Sequence, residues 1–140
     1  MGTYISSDKK LLDVGKIHQA IKSSYWGGYR TLEMTQKTID SCICFGVYNE
    51  DDVQLGFGRV LTDGVVFAYI MDVIIFDGFR GKGLGKMLTQ HILEYPEINK
   101  VHTLALKTMD AHGLYQTYGF EKVGDSKMWM AKDNATYDIE

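Results

Sequence analysis

The run Val65–Phe76 is apolar on both faces except at Asp72, and it leads within a few residues into Arg80-Gly81-Lys82-Gly83-Leu84-Gly85-Lys86. A strand with two apolar faces belongs inside a sheet, covered on both sides. The turn after it places three glycines and three cations where a helix begins. Backbone N–H groups at a helix N-terminus have no partner within the helix, and glycine lets an anion approach them closely. A strand, a glycine turn and a helix in this order predict an anion site of phosphate type, built at the end of a sheet strand.

The chain has 140 residues, of which 45% are hydrophobic and 24% charged, with a net charge of −3. That is enough apolar material for one core, so one domain over 1–140 is expected, with 133–140 as a loose charged tail. The mild acidity argues against a dedicated nucleic-acid binder, which carries a strong positive balance. No stretch reaches the ~18 apolar residues of a membrane span, and the N-terminus shows no signal-peptide core. Cys42 and Cys44 stand two apart in a strand-like run. They point to one face, where a bridge between them would be strained, and no second cysteine pair completes a four-ligand metal site. Free thiols and a cytoplasmic location are the expectation.

Thr3–Ser6 reads as a short strand, and Asp13 caps a helix with Val14, Ile17, His18 and Ile21 on one stripe. An aromatic loop, Tyr25-Trp26-Gly27-Gly28-Tyr29-Arg30, precedes a second helix capped by Thr35, with Met34 and Ile39 as a hydrophobic staple. Cys44–Tyr48, Val53–Leu61 and Val65–Phe76 form a meander, the second turn of which is Thr62-Asp63-Gly64. A helix from about Gly83 to Tyr95 is stopped by Pro96. Val101–Lys107 is a strand, Ala111–Tyr118 a short helix capped by Asp110 and closed by Gly119, and Phe120–Val123 and Lys127–Ala131 are the last two strands. The order β-α-α-β-β-β-α-β-α-β-β gives an α/β class with a mixed, mostly antiparallel sheet flanked by about four helices, unlike the regular alternation of a dinucleotide-binding fold.

The glycine turn lacks the Gly-Lys-Ser/Thr ending of a Walker A loop, and it does not follow the first strand of a βαβ unit as a Rossmann fingerprint would. Arg80-x-x-Gly83-x-Gly85 after Val73-Ile74-Ile75 resembles the acyl-CoA signature of the GNAT superfamily of N-acetyltransferases. Leu114-Tyr115-x-x-x-Gly119-Phe120 resembles that family's second signature, in the right order and at a typical separation. Asp110–Tyr115 looks like a subgroup of small bacterial-type members.

The resemblance implies acetyl-CoA as cosubstrate. The backbones of Gly81, Lys82, Gly83, Leu84, Gly85 and Lys86 would hold the coenzyme A pyrophosphate, and Arg80 would brace the turn. The pantetheine arm would pair with the main chain of Val73, Ile74 and Ile75, one N–H of which would face the thioester oxygen. Tyr115 matches the family tyrosine that protonates the departing thiolate. Thr108 stands where many members have a cofactor-binding asparagine, and the strand Val101–Lys107 lacks the glutamate some members use as base. Small members of the family often pair, so a homodimer is among the expected states.

An ammonium of pKa ~10 must lose a proton before it attacks. Asp72, the one charge in an otherwise buried strand, is the first candidate for the acceptor of that proton or the anchor of the ammonium; an ion pair inside the sheet is the other explanation of a carboxylate there. His102 and His112 are further candidates. Tyr25, Trp26 and Tyr29 suit a cationic or aromatic amine through π contacts, and Glu33 could hold a substrate charge. The expected function is transfer of an acetyl group to the primary amine of a small molecule or peptide. The alternative is an acyl-CoA-binding regulatory domain without turnover.

Overall fold

The computed structural model describes residues 2–134. The chain divides into two compact units, Met1–Lys107 and Thr108–Glu140. The first holds β1 (Tyr4–Ser6), a 3₁₀ turn (Lys9–Leu11), α1 (Val14–Lys22), α2 (Leu32–Ser41), β2 (Ile43–Tyr48), β3 (Gln54–Thr62), β4 (Phe67–Ile75), α3 (Leu84–Glu94), α4 (Pro96–Asn99) and β5 (Thr103–Leu106). The second holds α5 (His112–Gln116).

The five strands form one sheet in the order β1-β2-β3-β4-β5. The first four run antiparallel, and β5 joins β4 in parallel after the α3–α4 crossover, so the sheet is mixed as expected. The β3–β4 turn is held by Asp63, whose Oδ1 accepts the N–H groups of Val65, Val66 and Phe67, with Gly64 at φ 77 beside it. Ile17, Ile21, Ile39, Cys42, Cys44, Phe57 and Phe76 form one buried cluster, which joins α1 and α2 to one face of the sheet. On the other face, a Cβ at Gly58 would stand 3.2 Å from Ile92 Cδ1 and 3.6 Å from Leu88 Cδ2. Glycine there lets α3 bury Leu88 and Ile92 directly on β3, each burial contributing about 1.5–3 kcal/mol.

Two local expectations change. α2 starts earlier than its pattern indicates: Thr31 is the N-cap, accepting from Met34 N–H at 3.1 Å, so Met34 belongs to the first turn and is not a staple residue. Thr35 instead faces inward, where its hydroxyl meets His18 Nδ1 at 2.8 Å and ties α2 to α1. The strands expected over Phe120–Val123 and Lys127–Ala131 do not form. Residues 121–134 are exposed, so their apolar side chains bury too little to offset the ordering of the backbone. Of the tail expected at 133–140, residues 135–140 lie outside the described residues.

Two buried acids make the fold sensitive to alkali. Burial pushes the Cys44 thiol from 9.0 up to about 12 and the Tyr48 hydroxyl from 10.0 up to about 12. Both keep their protons in the fold at pH values where the unfolded chain releases them, so their contribution is complete below about pH 9 and declines as pH rises toward 12. Urea midpoints measured between pH 7 and 11 should hold steady to about pH 9 and then fall. A constant midpoint up to pH 11 would show that neither group is desolvated.

Candidate active site

β4 keeps its β5 neighbour only from Phe67 to Ile70, paired with Thr103–Leu106; from Met71 onward that side of β4 has no strand partner among the described residues. On its other side, Phe57 pairs with Ile74 but Arg59 with Met71, so three steps on β4 oppose two on β3. The extra residue is a bulge, and Asp72 within it adopts φ 54, a left-handed conformation rare outside glycine. Phe76 donates its N–H to Leu55 on β3. By alternation Ile74 also turns its main chain to β3, while Val73 and Ile75 turn theirs to the open side. Of the three expected main-chain positions, Val73 and Ile75 therefore face the opening and Ile74 faces the sheet.

The turn after β4 is fixed by Arg80, which donates from Nε to the Ile75 carbonyl at 2.9 Å and pairs with Asp77 at 3.3 Å. Gly81 and Gly83 have φ 78 and 79, a conformation that side chains rarely adopt. The first helical bond of α3 runs from Met87 N–H to Gly83 O, and no side chain of the described residues caps its N-terminus. The N–H groups of Leu84, Gly85 and Lys86 are thus left over by the helix itself. The first turn of α3 carries no acidic residue; instead Arg80, Lys82 and Lys86 gather there. Cations at the positive end of a helix oppose its dipole, so the arrangement is complementary to an anion. Oriented amides, cations and an adjoining open strand edge fit a diphosphate with an extended arm beyond it.

Asp72 is buried between two arginines. Arg30 donates from Nη1 to Oδ2 at 2.8 Å and from Nη2 to Oδ1 at 3.2 Å, and Arg59 Nε donates to Oδ2 at 2.6 Å. Both carboxylate oxygens are therefore engaged, in the ion pair that the sequence leaves open as the other explanation. The Arg30 guanidinium lies 5.8 Å from the Trp26 ring centre and 5.7 Å from that of Tyr29, so the protein's own cation faces these rings. Tyr25 and Tyr29 are exposed. Glu33 is exposed in the first turn of α2, where its charge suits the helix end. The fold thus joins Trp26, Tyr29 and Asp72 through Arg30, next along β4 to Val73.

In the second unit, Tyr115 is buried on α5 and its ring meets Phe120 edge-on at 5.7 Å. Gly119 at φ 92 ends the helix, with Gly119 N–H donating to Gln116 O and Phe120 N–H to Tyr115 O, the paired bonds of a Schellman ending. Thr108, and not Asp110, takes the N–H of Ala111, at 3.1 Å. His102 is exposed, with Nδ1 3.0 Å from Thr103 Oγ1, and His112 opens α5.

Arg30 and Arg59 are the site residues that sequence reasoning passed over. A signal was available: Arg59 is the one charge in β3 and Asp72 the one charge in β4. Two lone opposite charges in neighbouring apolar strands need each other. Among the described residues no group of His, Cys, Asp and Glu side chains could hold a metal ion, and no helix is long and apolar enough to cross a membrane.

Known proteins resemble this chain in sequence and in fold. The acetyltransferase (GNAT) domain matches residues 40–122. A candidate acetyltransferase of Gibberella zeae is 30% identical over 132 residues, covering 78% of this chain and 75% of that protein. An uncharacterised N-acetyltransferase of Prochlorococcus marinus is 33% identical over 95 residues, covering 65% of this chain and 52% of that protein, so the chain spans about half of its length. The crystal structure of a candidate GNAT acetyltransferase from Xanthomonas campestris pv. campestris superposes with a TM-score of 0.88 at 34% identity, covering 94% of this chain and 92% of that one. The split between β4 and β5, the glycine turn before α3 and these matches agree, and the chain belongs to the GNAT acetyltransferases, a family of acyltransferase enzymes that generally use acetyl-CoA.

Proposed function

We propose that the protein transfers an acetyl group from acetyl-CoA to a primary amine by direct attack. The observation that carries this reading is the uncapped, cation-ringed start of α3 beside the open edge of β4. In it, the amides from Gly81 to Lys86 hold the diphosphate, with Arg80, Lys82 and Lys86 adding charge. The main chains of Val73 and Ile75 pair with the pantetheine arm. An N–H at the β4 bulge faces the thioester oxygen, and a donor so placed is worth ~3 kcal/mol as charge builds there. Thr108, its oxygen already accepting from Ala111, contributes to the cofactor by donating its hydroxyl hydrogen.

Acetyl-CoA supplies an acetyl group activated as a thioester. The amine's lone pair forms the new C–N bond as the C–S bond breaks, the amine's surplus proton passes to water, and the sulfur takes a proton from the Tyr115 hydroxyl, which is restored from solvent. Water replaces Asp72 as proton acceptor in this scheme because Arg30 and Arg59 engage both of its oxygens. Asp72 then serves to fix the bulge and to hold Arg30 against the sheet.

The roles of binding and chemistry separate in one variant. Tyr115→Phe keeps the ring that meets Phe120 and removes the proton, so kcat should fall by about 100-fold, the lower range for a general acid, while the Kd for acetyl-CoA stays within about twofold. Release of free thiol in the presence of an amine panel measures the first and calorimetry the second. An unchanged kcat would remove Tyr115 from the chemistry. Tight binding of acetyl-CoA without thiol release on any amine would overturn the transferase reading.

A further inference from the structure

The buried cluster at the β4 bulge holds more positive charge than the fold requires. Arg30, Arg59 and Asp72 are 9%, 6% and 9% exposed, and together they carry a net charge of +1. Arg30 alone already satisfies both oxygens of Asp72. Arg59 adds a second guanidinium to the same carboxylate and directs Nη1 to Cys42 Sγ at 3.2 Å, while its Nη2 makes no hydrogen bond among the described residues. A buried cation without a matching anion is costly, whereas a charge-assisted bond to an incoming anion relieves it. The cluster also adjoins solvent through its aromatic loop, since Tyr29, whose ring faces Arg30, is 62% exposed.

This arrangement reverses the substrate charge that the aromatic loop alone indicates. With Arg30 already facing Trp26 and Tyr29, a second cation placed on those rings would meet like charge at close range. An amine that also carries a negative group meets the opposite. Asp72 directly precedes Val73, so an anion held by the arginines lies next along the strand to the proposed thioester position. We infer that Arg30 and Arg59 form an anion subsite that selects acceptors of the amino-acid class, primary amines bearing one carboxylate. A monoanion matches the single excess charge, and a phosphate dianion exceeds it. The inference rests on the acetyl-transfer reading, and its test is chosen to tell the two apart.

The test compares amino acids with their own carboxamides as acceptors for the wild-type protein, following thiol release from acetyl-CoA. The two members of each pair share the carbon skeleton and differ in the anion; the amide's ammonium is the more acidic of the two, so kcat/KM is compared per free amine. The productive amino acid should exceed its amide in kcat/KM by about 10–100-fold, the range for a hydrogen bond to a charged group, with most of the difference in KM. Arg59→Gln leaves the Arg30–Asp72 pair in place and removes the excess charge; the preference should then drop below about threefold while acetyl-CoA binds as before. Equal rates for acid and amide, a preference for amides or polyamines, or a preference that survives Arg59→Gln would each overturn the subsite and leave acetyl transfer standing. If Arg59→Gln does not fold, the wild-type pairs alone decide. Absence of thiol release with every acceptor would overturn the transfer reading and the subsite with it.

Discussion

Asp72→Asn is expected to destabilise the protein by about 3–5 kcal/mol, the largest stability effect of any single polar substitution in its core. The wild-type carboxylate accepts three hydrogen bonds from two buried guanidinium groups. Asparagine is nearly the same size and tolerates the left-handed backbone at φ 54, so neither packing nor strain changes appreciably. What changes is charge: two arginine cations remain in a site only a few per cent exposed, with no counter-ion. For a chain of this length, total stability is on the order of 10 kcal/mol, so the variant should lose a large part of it and melt roughly 10–20 °C lower. Urea denaturation and a thermal scan check the value. A loss under about 1 kcal/mol would mean that the arginines find other partners and that the bulge does not depend on the ion pair.

Gly83→Asp is expected to weaken acetyl-CoA binding by about 100-fold or more while leaving the fold in place. Gly83 is the N-cap of α3 at φ 79. Aspartate is among the few residues that enter this region readily, and it is a good helix N-cap, so the helix itself should persist. Its carboxylate would sit among the amides assigned to the diphosphate and repel it. It would also accept hydrogen bonds from the same N–H groups. A 100-fold change corresponds to about 2.7 kcal/mol, within reach of one misplaced charge near a multiply charged ligand. Calorimetry gives the affinity, and circular dichroism confirms that helix content is retained. Undiminished binding would place the diphosphate elsewhere.

The sheet was legible wherever local chemistry decided the outcome. Asp63-Gly64 specified a hairpin, Asp13 capped α1, and the apolar run through Ile75 announced an inner strand. The glycine turn and the start of α3 were legible for the same reason, since spacing and composition are local. Arg30 was not, because its partner lies 42 residues away and its own neighbourhood reads as an aromatic loop. The bulge was equally hidden: nothing in Met71-Asp72-Val73 signals a positive φ, which is imposed by the mismatch between β3 and β4. The two strands expected after Gly119 failed for a related reason. A short apolar run such as Met128–Ala131 suits a strand by composition, but residues 121–134 stay exposed, and without a sheet edge to receive it the run gains little from becoming one. Thr31 capped α2 in place of Thr35 because a hydroxyl four residues further on was needed at His18.

The proposed transfer depends on where acetyl-CoA touches the main chain, and amide-resolved NMR on the ¹⁵N-labelled protein reads this directly. Titration with acetyl-CoA should shift the N–H signals of Gly81 through Lys86, together with Val73 and Ile75, more than those of any other segment, and Gly83→Asp should suppress the response. Saturating acetyl-CoA that leaves those amides unmoved, or that shifts a different set, would contradict it.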